Sequence, residues 1–216
     1  MTREDAIRPR LFLITPRIID LDTFAPMLEA ALGAGDVASL LIAPEAEDDA
    51  LQAIAERLVP IAQQAGVAAL VCNDTRITGR AHADGIHVDT GLADLKAAVE
   101  RFQPRQFVGA GNLPSRHDAM LAGEAGADYL FFGRLDRDER PEPHPRDLES
   151  GAWWADLFEP PCVVLAGSEL ETVAEVAETG ADFIALRNAV WSHADGPAAA
   201  VAAANAMLDR YAPEAA

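Results

Sequence analysis

Eight short apolar runs recur along the whole chain, and each is followed by a helical segment or by room for one. That recurrence restricts the fold more than any other feature. The runs are Leu11–Thr15, Val37–Ile42, Val67–Cys72, Gly85–Val88, Gln106–Ala110, Tyr129–Phe132, Cys162–Ala166 and Phe183–Leu186. Between them, apolar residues return at helical spacing, as in Phe24, Met27, Leu28, Ala31 and Leu32, or Leu51, Ile54, Ala55 and Leu58. Further helices are expected over 48–65, 74–83, 92–102, 115–124, 169–178 and 197–211. The strands are apolar on both faces instead of alternating, which suits a parallel sheet buried on both sides. In a chain of 216 residues, eight units of about 27 residues predict a single-domain α/β fold, a compact (β/α)8 TIM barrel. An open doubly wound sheet is the alternative, and no GxGxxG after the first run supports a dinucleotide-binding version of it.

An internal echo agrees with the series. Ala125-Gly126-Ala127-Asp128-Tyr129 and Thr179-Gly180-Ala181-Asp182-Phe183 are near copies, and His82-Ala83-Asp84-Gly85 is a weaker third. Each joins a helix to the next strand, so Gly126 and Gly180 are expected to end helices in the left-handed conformation.

Charge narrows the partners. The formal net charge is −18, which repels phosphate backbones and anionic lipid, so nucleic-acid and membrane partners are not expected. No run of about 18 apolar residues is present for a membrane span, and Met1–Ala6 lacks a signal peptide's apolar stretch. Cys72 and Cys162 lie in strand-like runs without metal spacing, so reduced thiols and a cytoplasmic location are the expectation. The sequence leaves a homo-oligomer open. Lys96 is the only lysine and falls mid-helix on an outer position, which argues against Schiff-base chemistry. The histidines form no metal or triad pattern, and His87 reads as a packing residue of the barrel wall.

Three places can carry chemistry. After the seventh strand, Ala166-Gly167-Ser168 passes toward a helix, where small residues and a helix N-terminus favour a phosphate. Asn188, after the eighth strand, can add a donor. Ser168 reads equally as a plain N-cap. After the third strand, Asn73 can touch substrate and Asp74 can ligate Mg²⁺ or simply cap the next helix. The long segment 134–150 is expected to be an irregular loop leaving the catalytic face, carrying Arg134, Arg137 and Arg140.

The order of Leu11–Thr15, Asn73-Asp74, Ala83-Asp84-Gly85-Ile86-His87-Val88, Gly126–Gly133 and Gly180-Ala181-Asp182 resembles thiamine-phosphate synthase and its thiazole-tautomerase relatives from about Leu11 to Tyr211. The resemblance implies that a small phosphorylated heterocycle, a thiazole phosphate, attacks the methylene of a pyrimidine pyrophosphate once pyrophosphate leaves with the help of Mg²⁺. It places Asp74 and a displaced Asp89 at the metal, and Ala166-Gly167 with Asn188 at the phosphate. Departures cluster at the pyrophosphate. The family's Gln-x-Arg-x-Lys falls on Leu41, Ala43 and Glu45. Its Asn-Asp-Arg becomes Asn73-Asp74-Thr75, with Arg76 next. Its Ser/His pair is replaced by 112–114, its Thr-x-Thr-Lys by Asp138-Glu139-Arg140-Pro141, and the tautomerase histidine by Arg134. Arg134, Arg137 and Arg140 are therefore the expected replacements, since arginine forks suit phosphate oxygens. A barrel that binds thiamine phosphate or a similar ester without turnover, and another enzyme on the same phosphate site, are the rival readings.

Overall fold

A computed structural model describes residues 8–136 and 140–212. Eight parallel strands close into one barrel in chain order: β1 (Arg10–Ile14), β2 (Val37–Ile42), β3 (Ala68–Cys72), β4 (Gly85–Val88), β5 (Phe107–Ala110), β6 (Tyr129–Phe132), β7 (Cys162–Leu165) and β8 (Phe183–Leu186). Closure is explicit in β1, where Leu13 is in register with Leu40 of β2 and Leu186 of β8. The helices are α1 (Leu21–Leu32), α2 (Asp48–Gln64), α3 (Thr75–Arg80), α4 (Leu92–Phe102), α5 (Arg116–Glu124), α6 (Pro145–Leu157), α7 (Thr172–Ala177), α8 (Asn188–Trp191) and α9 (Pro197–Leu208). None of these is long and apolar enough to cross a membrane.

Strand alternation sorts the apolar residues into two layers. Leu11, Leu13, Leu130 and Phe132 face the helices, whereas Phe12, Ile14, Leu41, Leu70, Tyr129 and Phe131 fill the barrel interior. Two glycines, Gly109 in β5 and Gly111 just after it, make room for that filling. A Cβ at Gly109 would overlap the Tyr129 ring, and one at Gly111 would overlap His87 Nε2. As expected, Lys96 sits on an exposed face of α4, and Gly126 and Gly180 have φ of +91° and +80°.

The echo at 82–85, 125–129 and 179–183 closes the bottom of the barrel. Asp84 Oδ2 accepts Ala69 N at 2.8 Å, Asp128 Oδ2 accepts Val108 N at 2.7 Å, and Asp182 Oδ2 accepts Cys162 N at 2.8 Å. Each aspartate precedes an even strand and satisfies an amide near the start of the odd strand before it. Asp36 precedes β2 and instead clasps Arg10 of β1 through 2.8 and 2.6 Å bonds.

Two local expectations are corrected. The segment 134–150 is not wholly irregular, because α6 begins at Pro145. Proline at the first helical position sacrifices no helical hydrogen bond, and His144 caps the helix by accepting Arg146 N at 3.2 Å. The helix expected from Glu169 starts at Thr172 and is six residues long. Ser168 is thus not its cap, and no long helix points its N-terminus at Gly167.

Candidate active site at the barrel mouth

The polar residues gather at the C-terminal ends of the strands, where two cavities share Asn112, Phe131, Gly133 and Arg134 as walls. The larger, about 250 Å³, also reaches Arg140, His144, Arg146 and Ala166. The smaller, about 150 Å³, reaches His87, Asp89 and Leu135.

The ends of β7 and β8 form a set of donors. Gly167 N donates to Thr172 Oγ1 at 3.1 Å, and Ala166 N is committed to the sheet through Ala185 O at 3.0 Å. The next two amides point outward. Ser168 N donates to Arg140 O at 2.8 Å and Glu169 N to Pro141 O at 3.3 Å. The chain at Pro141 lies flat on Gly167, so close that a Cβ there would sit 2.7 Å from Pro141 C and 2.9 Å from Glu142 C. Beside them the Arg187 guanidinium, only 2% exposed, donates to Leu135 O at 3.3 Å from both terminal nitrogens. Three carbonyl oxygens of the β6–α6 connection therefore rest on two amides and a buried guanidinium. The stretch Leu186-Arg187-Asn188-Ala189 reads in the sequence as a source of side-chain donors, but the burial of Arg187 has no local signal there. Asn188 opens α8, and its carbonyl accepts Ser192 N at 2.9 Å.

Across the mouth, β3 and β4 are tied together. Asn73 Nδ2 donates to Asp89 Oδ1 at 2.7 Å, and Asp89 N donates to Asn73 Oδ1 at 3.0 Å. Asn112 Nδ2 donates to Asp89 O at 3.0 Å. Asp74 Oδ1 caps α3 by accepting Arg76 N and Ile77 N, both at 2.8 Å. Arg76 itself turns to Asp48 at 2.7 Å. No cluster of three or more His, Cys, Asp or Glu forms among the described residues.

At the end of β2, Glu45 is held by the Arg17 guanidinium from the β1–α1 connection, and Glu45 N donates to Arg17 O at 2.8 Å. Arg134 forms a two-point ion pair with Asp136 at 2.9 and 2.6 Å. Those bonds push its pKa above the usual arginine range against the opposing effect of desolvation, with nearby charge on Asp136, Asp89 and Asp147 adding to the rise. Arg140 lines the larger cavity together with Arg146, which binds Pro114 O. Arg137 lies outside the described residues.

Deeper in the mouth, His87 is fully buried on β4. Its Nδ1 is 3.0 Å from Tyr129 Oη, its ring stacks on Tyr129 at 5.8 Å and 19°, and it meets Phe131 edge-on at 5.3 Å. Burial lowers its pKa to about 4 against an opposing pull from Asp89. Burial together with Asp89 pushes the Cys72 thiol far above its usual range, which removes it as a nucleophile at neutral pH.

A closed (β/α)8 barrel with donors and arginines collected at its C-terminal mouth is the scaffold of a small-ligand enzyme or binder. The chain matches the family model described as thiamine monophosphate synthase over residues 11–190. It is 40% identical over 201 residues to the thiamine-phosphate synthase of Rhodospirillum centenum, covering 92% of this chain and 97% of that one. It is 38% identical over 218 residues to that of Hyphomonas neptunium, covering 98% and 99%. A thiamine phosphate pyrophosphorylase structure from Pyrococcus furiosus superposes with a TM-score of 0.75 at 23% identity, over 97% of this chain and 98% of that one. The chain belongs to the thiamine monophosphate synthase family and has a thiamine-phosphate-synthase-like role.

Proposed function

We propose that this barrel is a working synthase that joins a pyrimidine pyrophosphate to a thiazole phosphate, with its anion contacts moved from β2 toward β6, β7 and β8. The observation that carries the reading is the donor set of Ser168 N, Glu169 N and Arg187, each resting on a carbonyl oxygen of the β6–α6 connection. Groups that hold partial negative charge there hold a phosphate better, because charge-assisted bonds are roughly twice as strong. A phosphate takes these donors by exchange with Arg140 O, Pro141 O and Leu135 O, beside the wall formed by Ala166, Gly167 and Asn188.

In this reading the C–O bond of the pyrimidine's methylene breaks first and its electron pair leaves with pyrophosphate. The thiazole nitrogen then donates its lone pair to the methylene carbon. No proton has to move, so the protein's task is electrostatic. Arg134 and Arg140, joined by Arg146, face the departing anion in place of the family's β2 cations. Asn73 orients Asp89 at the substrate's edge. Asp89 keeps one carboxylate oxygen clear of the bonds described above, whereas Asp74 Oδ2 lies 3.6 Å from the Arg76 guanidinium; a Mg²⁺ held by this pair would displace that cation and take its other ligands from pyrophosphate and water. Bound there, Mg²⁺ would neutralise charge on the leaving group. Reduced Cys72 and Cys162 accord with a cytoplasmic setting.

The β2 end favours a second reading, a barrel that binds the phosphate ester without turnover. Leu41 is interior, and Glu45 is occupied with Arg17. The deciding experiment is release of pyrophosphate from the substrate pair with Mg²⁺, alongside calorimetric titration with thiamine phosphate. Turnover that is lost in the combined Arg134→Ala, Arg140→Ala variant supports the synthase. Tight thiamine phosphate binding without pyrophosphate release supports the binder.

A further inference from the structure

We infer that Asp136 is a built-in counter-ion of the pyrophosphate site. Its carboxylate occupies the Arg134 fork between turnovers, gives the fork up to pyrophosphate, and by reclaiming it holds the affinity for that product down. The inference rests on the synthase reading above, in which Arg134 faces the leaving group. It goes beyond that reading by naming the group that exchanges with the product.

Three observations lead to it. First, the contact has the shape of the one it is exchanged for. Arg134 Nε donates to Asp136 Oδ1 at 2.9 Å and Nη2 donates to Oδ2 at 2.6 Å. Two oxygens of one phosphoryl group meet a guanidinium in the same two-point way. Second, the pair lies where an anion can arrive. Arg134, Leu135 and Asp136 together line the cavity of about 150 Å³ at the mouth. Both charged side chains are open to solvent, Arg134 at 39% and Asp136 at 61% exposure. An exposed ion pair is weak, so exchange is easy in either direction. Third, the residue between them is anchored. The Leu135 side chain packs against the barrel interior, and its carbonyl accepts both terminal nitrogens of buried Arg187 in the free protein. The Asp136 carboxylate is therefore tethered beside the fork after release. A tethered group competes at a high effective concentration, so it recaptures Arg134 whenever pyrophosphate lets that contact open.

The test is calorimetric titration with inorganic pyrophosphate, without added divalent metal so that no carboxylate–metal contact enters. Asp136→Asn keeps the outline of the side chain and removes its charge. An exposed pair of ordinary strength predicts that this variant binds pyrophosphate about two- to sixfold more tightly than the wild type. Asp136→Glu, which keeps the charge and can still reach the fork, stays near the wild-type affinity. In the Arg134→Ala background the same Asp136→Asn change leaves the affinity about where it was, because the two residues act as a pair. With ¹⁵N-labelled arginine, the Arg134 Nε–H signal moves when pyrophosphate is added to the wild type, and it is already displaced in ligand-free Asp136→Asn. A gain that persists in full without Arg134 reports general charge repulsion and overturns the inference. So does an Asp136→Asn affinity no tighter than wild type when Arg134→Ala weakens binding, and that result leaves the synthase reading standing. Pyrophosphate binding indifferent to Arg134→Ala overturns the inference together with the place given to the leaving group. Failure of the wild type to release pyrophosphate from the substrate pair overturns the synthase reading and the inference with it.

Discussion

Gly167→Ala isolates the contact between the β6–α6 connection and the end of β7. The new methyl meets main-chain atoms, Pro141 C at 2.7 Å and Glu142 C at 2.9 Å, which cannot rotate away as a side chain would. The chain at Pro141 must lift, and the two bonds it makes, Ser168 N to Arg140 O and Glu169 N to Pro141 O, are lost. The first is a full-strength bond at 2.8 Å and the second is weak at 3.3 Å. Together they contribute about 1–2 kcal/mol after exchange with water. The undocked state should therefore rise by about 5- to 30-fold. Trypsin reads this directly, since Arg134 and Arg146 flank the contact and cleavage follows the open population when reclosing is fast. Cleavage after Arg134 should speed up by that factor while the urea midpoint of the whole barrel moves little. Unchanged cleavage in a folded variant would refute the docking geometry. A large drop in the urea midpoint would show instead that the connection is part of the global fold.

Four further outcomes follow from the same contacts. Arg187→Met should weaken binding of inorganic phosphate by about 10- to 100-fold in calorimetry, the loss of one charge-assisted bond; equal affinity would place the anion elsewhere. Asp128→Ala should cost about 1–3 kcal/mol in urea unfolding, since it strands Val108 N and releases Gln103, while leaving mouth chemistry intact. Asp36 has its pKa held below the usual range, chiefly by the Arg10 hydrogen bond. Its stabilisation is present above the unfolded carboxylate pKa and is lost as pH falls through the lower folded value, so Asp36→Asn should flatten part of the acid limb of stability against pH. If the two limbs coincide, the Arg10 clasp does not contribute to folding. Glu45→Lys should change pyrophosphate binding by no more than about twofold at ordinary salt, since the anion contacts lie toward β6–β8 and a β2 charge acts only through screened distance; a large gain would place pyrophosphate at β2.

The barrel was legible because burial on both faces leaves a strand no polar alternation, and eight such runs in series admit few architectures. The ends of elements were less so. Pro141, Pro143 and Pro145 read together as loop, yet Pro145 opens α6 at its first position, where the missing N–H breaks no helical bond. Ser168-Glu169 reads as a helix start, yet Ser168 N is drawn to Arg140 O from 28 residues earlier, and α7 begins later. At the site, Asp74 took the capping role left open beside the metal role, at least with one oxygen. The burial of His87 could be read from its apolar strand. Its unpaired nitrogen could not, because that depends on Tyr129 of β6 and on Gly111 just after β5. The pairing of Glu45 with Arg17 likewise joins two connections that the sequence keeps far apart.

The three aspartates beneath the barrel have a consequence for how such a chain can change. They fasten neighbouring strands at the rim opposite every residue discussed as chemical. Substitutions at the mouth then alter what the protein handles without loosening the closure that lets it exist. A lineage can exchange its whole set of anion-gripping side chains, one at a time, and still hand each descendant an assembled scaffold on which to try the next.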